Sequence, residues 1–510
     1  MDRPDRRCLP FLGAPSSGLR TTVPVVLGYR LGVAPMALPD RVTEGVAKCG
    51  QVTKLDRRIV GIGLPGYVLR AAGRAIAMPH PDPNCQISTA AGQIKRVAAA
   101  VNQDRPLTPP GRALRHRLRS HAIYLATRMV VPIPSDADVS VETYFAKLKA
   151  AGKPEWRIQE LREAWERWLE MAGPAWITLP LSKKWEILLS FVKRESYAAG
   201  STQQHGFDGK YKLPRGINAR DDVFKCLLGP YVKLMEEQLY HLPFFIKHVP
   251  KRELGDVLMD ALFAEGAQYL ASDYTSFESQ WSPEAMQNTY MPFYRRALKH
   301  LPEGDFVLQV FAKYIMGLNT CCFGASQFLM TLLGKRMSGE TDTSLANGLG
   351  NYVIAHFVCV VMCGWSEADF EACVKVEGDD LICRILGRIP TKEMYADLGF
   401  DIKPEVHDDL SEASFCGEVF DTEAKDVVPD IMSTLIQFGW APETYCGQRP
   451  IKRVMLARMK ALSLAHQYPG APVLGAFARY VLRTTRHVTR LDKFVSSRRE
   501  FSEWDRVQYD

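Results

Sequence analysis

Gly378-Asp379-Asp380 is the segment of this 510-residue chain best suited to holding hard metal ions. It separates two β-type runs, 372–377 and 381–386, so the spacing predicts a hairpin with carboxylates at its tip. Glycine permits the tight bend. Adjacent carboxylates repel each other and are stable when exposed or metal-bound, and Mg²⁺ or Mn²⁺ would neutralise them. Taken alone the tripeptide is ordinary turn chemistry. A further carboxylate, Asp273, follows the strand candidate 267–272. Brought beside the hairpin tip, it would complete a site for two ions about 3.5–4 Å apart. Left elsewhere, it is a helix or turn cap.

Between these acids lies a Ser338-Gly339 loop that enters a helix, with Thr343 and Asn347 four residues apart on one face. Together they can hydrogen-bond a ribose hydroxyl; alone they read as a Ser/Thr-rich helix start.

The order of the three elements is specific. Asp273-x4-Glu278, then Ser338-Gly339-x3-Thr343-x3-Asn347, then Gly378-Asp379-Asp380 resembles motifs A, B and C of RNA-dependent RNA polymerases of positive-strand RNA viruses, in the style of the tombusvirus- and nodavirus-related group. The resemblance spans roughly residues 191–420. The basic segments 191–195 and 212–218 look like motif F, which implies that Lys193, Arg194 and Arg215 contact the incoming triphosphate. The segment 398–403 is similar to motif D, whose lysine, here Lys403, protonates departing pyrophosphate. Phe415-Cys416-Gly417 resembles motif E, which grips the growing strand.

The resemblance implies metal ligation by Asp273 and Asp379 with Asp380 in support, two Mg²⁺ or Mn²⁺ ions, and a nucleotide pocket shaped by Glu278, Ser338, Gly339, Thr343 and Asn347. Glu278 departs from the usual aspartate and reaches one methylene farther. The partners implied are an RNA template, nascent RNA and ribonucleoside triphosphates, in the host cell cytoplasm. Any membrane attachment would be peripheral or supplied by other replication-complex proteins. A reverse transcriptase shares the two-metal site, but usually carries an aromatic-x pair where Gly378 precedes the aspartates. A noncatalytic RNA-binding replication protein would not need the full set of acids present here.

The elements that must position these residues imply an α+β right-hand polymerase. Fingers would take 151–265 and 302–337, a palm with an antiparallel sheet 266–301 and 338–425, and a mostly helical thumb 426–510. Residues 1–150 form a basic N-terminal extension. From 155 to 171 the pattern is helical, with Trp156, Leu161, Trp165 and Leu169 on one face, and Pro174 and Pro180 end that unit. Ser282-Pro283-Glu284 is a helix start.

Composition agrees with a globular chain: 46% hydrophobic and 24% charged residues exclude a disordered one. The apolar run around 352–365, interrupted by His356 and ended by Gly364, reads as a buried helix too short for a bilayer. No secretory leader is visible, so secretion is not expected. Twelve cysteines without C-x-x-C spacing read as reduced core thiols. The net charge of +7 divides unevenly: residues 1–130 carry +13, residues 131–450 carry −13 and residues 451–510 carry +7. Basic ends would attract a polyanion, while the acidic middle holds the carboxylates. Arg112, Arg115, Arg117 and Arg119 suit a basic helix face for RNA or an acidic membrane, or a merely solvated one.

Overall fold

The computed structural model describes residues 46–49, 67–68, 86–98, 109–173, 182–193, 214–274, 276–326, 328–438, 440–441, 450–489 and 491. They form an α+β protein. The strands in chain order are β1 (Val46–Cys49), β2 (Tyr67–Val68), β3 (Ile187–Val192), β4 (Gly216–Ala219), β5 (Tyr269–Tyr274), β6 (Leu318–Phe323) and β7 (Phe328–Leu333). They continue as β8 (Val374–Glu377), β9 (Asp380–Arg384), β10 (Ile402–His407), β11 (Ser414–Phe415), β12 (Glu418–Asp421), β13 (Asp426–Pro429) and β14 (Trp440–Ala441).

A four-stranded antiparallel sheet, ordered β10-β5-β9-β8, occupies the centre. It is buried on both faces, and strand alternation sends its side chains into two cores. Leu270, Leu381, Cys383, Val374, Val376 and Ile402 join the main helical core. Tyr269 and Ile382 join a second cluster with Leu258, Phe415 and Phe420. The continuous apolar runs seen in sequence are therefore the signature of a two-faced sheet. A five-stranded sheet, β1-β7-β6-β3-β4, lies alongside, with β11-β12-β13 and a β14-β2 ribbon completing the strand set.

Helix Thr343–His356 runs through the main core, and every residue from Leu345 to His356 is buried. With the π-turn after it, the helical stretch Thr343–Met362 is long and apolar enough to cross a membrane by length and composition, so it exceeds the short run expected. Its apolar window is 83% buried, which identifies a core helix of the kind the sequence suggested. The helix expected at 155–171 is Glu155–Ala172, with Leu161 and Trp165 in the core. Pro174 and Pro180 lie outside the described residues. Ser282 caps helix Pro283–Asn288 by accepting from the Ala285 N–H at 3.1 Å.

Two boundaries differ from expectation. Ala372 and Cys373 belong to helix Glu367–Cys373, which Ser366 caps from the Asp369 N–H, so the first hairpin strand starts at Val374. Residues 109–150, grouped by sequence with the N-terminal extension, are part of the main core. Leu118, Ala122 and Leu125 of helix Pro109–Met129 and Phe145 of helix Val141–Ala150 are buried in it. The C-terminal helices Pro450–Gln467 and Pro472–Thr484 pack on each other over a separate cluster around Leu464, Leu474 and Ala478. Six of the cysteines whose side chains are described are buried in the core.

Candidate active site

The hairpin predicted at residues 378–380 is a two-residue turn. Glu377 pairs with Asp380 across its base, and Gly378 at φ +62° is the first turn residue, a left-handed position that favours glycine. Asp379 and Asp380 are both exposed. Asp380 is therefore the first residue of β9 and only Asp379 sits in the turn. The Gly378 carbonyl accepts from Asn351 Nδ2 at 3.2 Å, and Asn351 Oδ1 accepts from Tyr274 OH at 3.1 Å. One side chain of the core helix thus ties the hairpin tip to the end of β5.

That end carries Asp273. The β5–β9 ladder runs from Tyr269 opposite Arg384 to Ser272 opposite Leu381, and Asp273 and Asp380 are the residues that follow its last rung on the two strands. On the other edge of β5, Asp273 pairs with Lys403 of β10. After β5 the chain turns through Ser276, at φ +55°, into the short helix Phe277–Gln280. Glu278 on this helix is half-buried. Burial first, and then the Asp379 carboxylate, push its acid group up, while Arg96 and Arg215 pull it down. Glu278, Asp379, Arg96 and Arg215 therefore share one electrostatic neighbourhood.

The basic segments meet through the β3–β4 pair. Lys193 N–H, just past β3, donates to the Arg215 carbonyl, just before β4, at 2.7 Å. Both residues are exposed, and Arg194 lies outside the described residues. Beside β4 runs the Ser338-Gly339 loop, whose Ser338 carbonyl accepts from the Asn218 N–H at 2.7 Å. Gly339 has φ +106°, and a Cβ there would stand 2.9 Å from Ile217 Cγ2.

Two buried ion pairs hold this loop. Arg220 lies 2.7–2.9 Å from the Glu340 carboxylate and also donates to the Trp185 and Tyr314 carbonyls and to Asn319 Oδ1. Arg336 pairs with Asp342 at 2.6 Å, and Tyr294 OH donates to the same carboxylate. The Thr343 hydroxyl faces the Met337 and Glu340 carbonyls at 3.1 and 3.0 Å, so it closes the loop instead of pointing a free donor at a ligand. Asn347, one turn on, is buried and its Oδ1 has no hydrogen-bond partner among the described residues.

Lys403 is 71% exposed and contacts Glu405. It shares a rung with Asp273, and its ammonium meets Glu405 of its own strand. In the Cys416-Gly417 turn both residues have positive φ, and the Cys416 thiol meets Asp380. Burial, then Asp380 and Glu377, push that thiol well up.

Sequence reading missed Arg96, Arg220 and Asn351. Asn351 had a signal, since it continues the Thr343, Asn347 spacing by four. Arg96 and Arg220 had none, because only packing brings the π-turn Ile94–Ala98 against the Glu278 helix and buries Arg220 under the loop.

Asp273, Asp379 and Asp380 offer the oxygen donors that Mg²⁺ and Mn²⁺ require. Burial and then Asp379 raise the Glu278 acid group while Arg96 and Arg215 lower it, and a cation beside these carboxylates would add to the lowering. The residues present fit such ions. No protein-family model matches the chain, and no curated protein is significantly similar to it.

Proposed function

We propose that this chain is an RNA-dependent RNA polymerase that replicates the genome of a positive-strand RNA virus. The observation that carries the reading is the pairing of β5, which contains Asp273, with β9, which begins at Asp380 beside Asp379, with Asn351 tying the core helix to the hairpin. Acids far apart in the chain, 273 and 379–380, converge where an Asn-bearing helix and a basic strand pair also converge. In this reading the β10-β5-β9-β8 sheet and the Ser338-Gly339 loop belong to the palm, β3 and β4 to the fingers, and residues 426–510, with the helices after residue 450, to the thumb.

The reaction joins the nascent RNA 3′-oxygen to the α-phosphorus of a ribonucleoside triphosphate, breaks the α–β phosphoanhydride bond and releases pyrophosphate. Two Mg²⁺ or Mn²⁺ ions, held by Asp273 and Asp379 with Asp380 in support, would supply charge neutralisation at the attacking and leaving oxygens. The protein's own groups bind and orient. Lys193 and Arg215, exposed at one end of the β3–β4 pair, receive the triphosphate, with Arg194 next in sequence. The buried Oδ1 of Asn347 accepts from a ribose hydroxyl, and Glu278 holds the second acceptor position. Ser338 and Gly339 shape the pocket wall through their backbone, fixed by Asn218, while Thr343 holds the loop closed. Lys403, across the rung from Asp273, exchanges Glu405 for the leaving pyrophosphate and donates its proton. The partners are a single-stranded RNA template and the growing strand, in the host cytoplasm.

The test is labelled ribonucleotide incorporation on a short RNA template with Mg²⁺ or Mn²⁺, comparing the native protein with Asp379→Ala. Template-length product from the native protein alone supports the reading. Equal product from both removes Asp379 from the site, and RNA binding without product from either favours the noncatalytic alternative.

A further inference from the structure

Nine residues beyond Asn347 on the core helix, about 14 Å by helical rise, His356 begins a second polar cluster. Its side chain has no exposed surface. Nδ1 lies 3.0 Å from His121 Nε2 on helix Pro109–Met129. Nε2 points at two carboxylates of helix Glu367–Cys373, standing 3.3 Å from Glu367 Oε1 and 3.8 Å from Glu371 Oε1. Glu367 and Glu371 are four residues apart and therefore on one helix face. Around them, Tyr124 OH donates to Glu367 Oε2 at 2.9 Å and Tyr352 OH to Glu371 Oε1 at 3.0 Å. Arg128 contacts Glu371 Oε1 and lies 3.6 Å from Glu367 Oε1.

His356 Nε2 and Glu367 Oε1 are both buried, and neither makes a hydrogen bond. A neutral imidazole has one N–H and one lone pair. If Nδ1 carries the proton and donates it to His121, the Nε2 lone pair confronts two carboxylate oxygens, an arrangement that only a cation makes favourable. If Nε2 carries the proton, the donor and its nearest acceptor still leave their bond unmade, which is costly for buried groups. Burial, helped by His121 and Arg128, pushes His356 down to about 3, which keeps the imidazole in the neutral form that ligates metals.

We propose that His356, Glu367 and Glu371 bind one divalent transition-metal ion, Zn²⁺ by donor set, as a clip between the core helix and the helix that leads into the Asp379 hairpin. Ligands at about 2.0–2.2 Å around tetrahedral zinc lie about 3.4 Å from one another. The His356–Glu367 separation of 3.3 Å matches, the His356–Glu371 separation of 3.8 Å needs a small closure, and all three ligand atoms lie within 4.8 Å of one another. His121 accepts the Nδ1 proton and fixes the ring, in the place that a carboxylate, carbonyl or water usually takes beside a metal-bound histidine. Arg128 is the competing cation, because it occupies the Glu371 oxygen that the metal would take. Metal entry therefore moves Arg128 aside, and the site is an exchange between an internal guanidinium and an external ion. The proposal stands apart from the polymerase reading, since it shares none of the residues proposed to act on nucleotide.

The experiment uses the full chain carrying Asp379→Ala, so that the hairpin carboxylates contribute less metal. The protein is stripped with chelator, exposed to Zn²⁺, passed through gel filtration and analysed for zinc. One retained equivalent is expected, together with a higher Tm than the stripped protein. Glu367→Gln and Glu371→Gln, isosteric changes at partly exposed positions, should each weaken retention more than about 100-fold, beyond the 10–100-fold typical of outer-shell changes. Arg128→Gln should tighten it by removing the competitor. His356→Ala should abolish it, and the two glutamine variants keep the test decisive should that variant misfold. Zinc-free native protein, or retention unchanged in both glutamine variants, overturns the proposal.

Discussion

Asp379 is exposed at a hairpin tip and supports no packing, so its removal isolates chemistry from folding. Asp379→Asn should lower nucleotide incorporation by at least on the order of 10²–10³-fold, the scale for losing one charge-stabilising group. Its circular dichroism and Tm should match the native protein, and a large drop in Tm would instead give Asp379 a structural role. Glu278 makes a different prediction. In the metal-free protein its folded-state acid group is shifted upward, by burial and then by Asp379, so the folded state binds its proton more tightly than the unfolded state. The unfolded chain then binds fewer protons between the ordinary glutamate value, about 4.3, and the raised one, and stability falls as pH rises through that window. Glu278→Gln should flatten this part of the stability–pH curve, measured by denaturant unfolding without divalent ions. An unchanged curve would show that the Glu278 acid group is not shifted by folding.

At the scale of elements, the Ser338-Gly339 loop owes its position to groups outside itself. Arg220 and Glu340 are both buried, and each satisfies the other's charge. Breaking such a pair costs about 3–5 kcal/mol because one charge is stranded. Arg220→Met should therefore lower Tm strongly, and Arg220→Met with Glu340→Leu should recover part of the loss, which a double-mutant cycle measures. Gly339→Ala tests the loop more gently. The residue has φ +106° and its new Cβ would press on Ile217 and the Asn218 carbonyl. KM for the nucleotide should rise several-fold, and Tm should fall because the left-handed backbone and the close contact both disfavour a Cβ. An unchanged KM would detach the loop from substrate binding.

Across the whole molecule, charge is divided between basic ends and an acidic middle that holds the site. Arg112, Arg117 and Arg119 on helix Pro109–Met129 are exposed, and Arg115 pairs with Glu284 at 3.0 Å. Among the C-terminal basic residues, Arg458 and Lys460 are engaged with the Leu482 and Phe438 carbonyls, while Arg479, Arg483 and Arg486 face solvent. If the exposed arginines of the first helix meet RNA phosphates, replacing all three with glutamine should reduce the slope of log K against log salt by about 2 for single-stranded RNA. An unchanged slope would make that face a merely solvated one.

The local pattern determined the pieces: the Asp379 hairpin, the strand ending near Asp273, the helix after Ser338-Gly339 and the cap at Ser282 were all legible, because turn glycines, capping residues and apolar periodicity act over a few residues. It also made a buried helix of the run near Tyr352 readable. The strand start at Val374 was not, since Ala372 and Cys373 have apolar character equally suited to a helix and Ser366 decided the matter. Nor was the membership of residues 109–150 in the main core, or the placement of Arg96, Arg220 and Asn351. Those depend on which surfaces meet, and pairing between residues tens to hundreds apart is set by packing and strand register. Strand pairing alone brought the Asp273 strand beside the strand that starts at Asp380, and the fold alone assembled His356, Glu367 and Glu371.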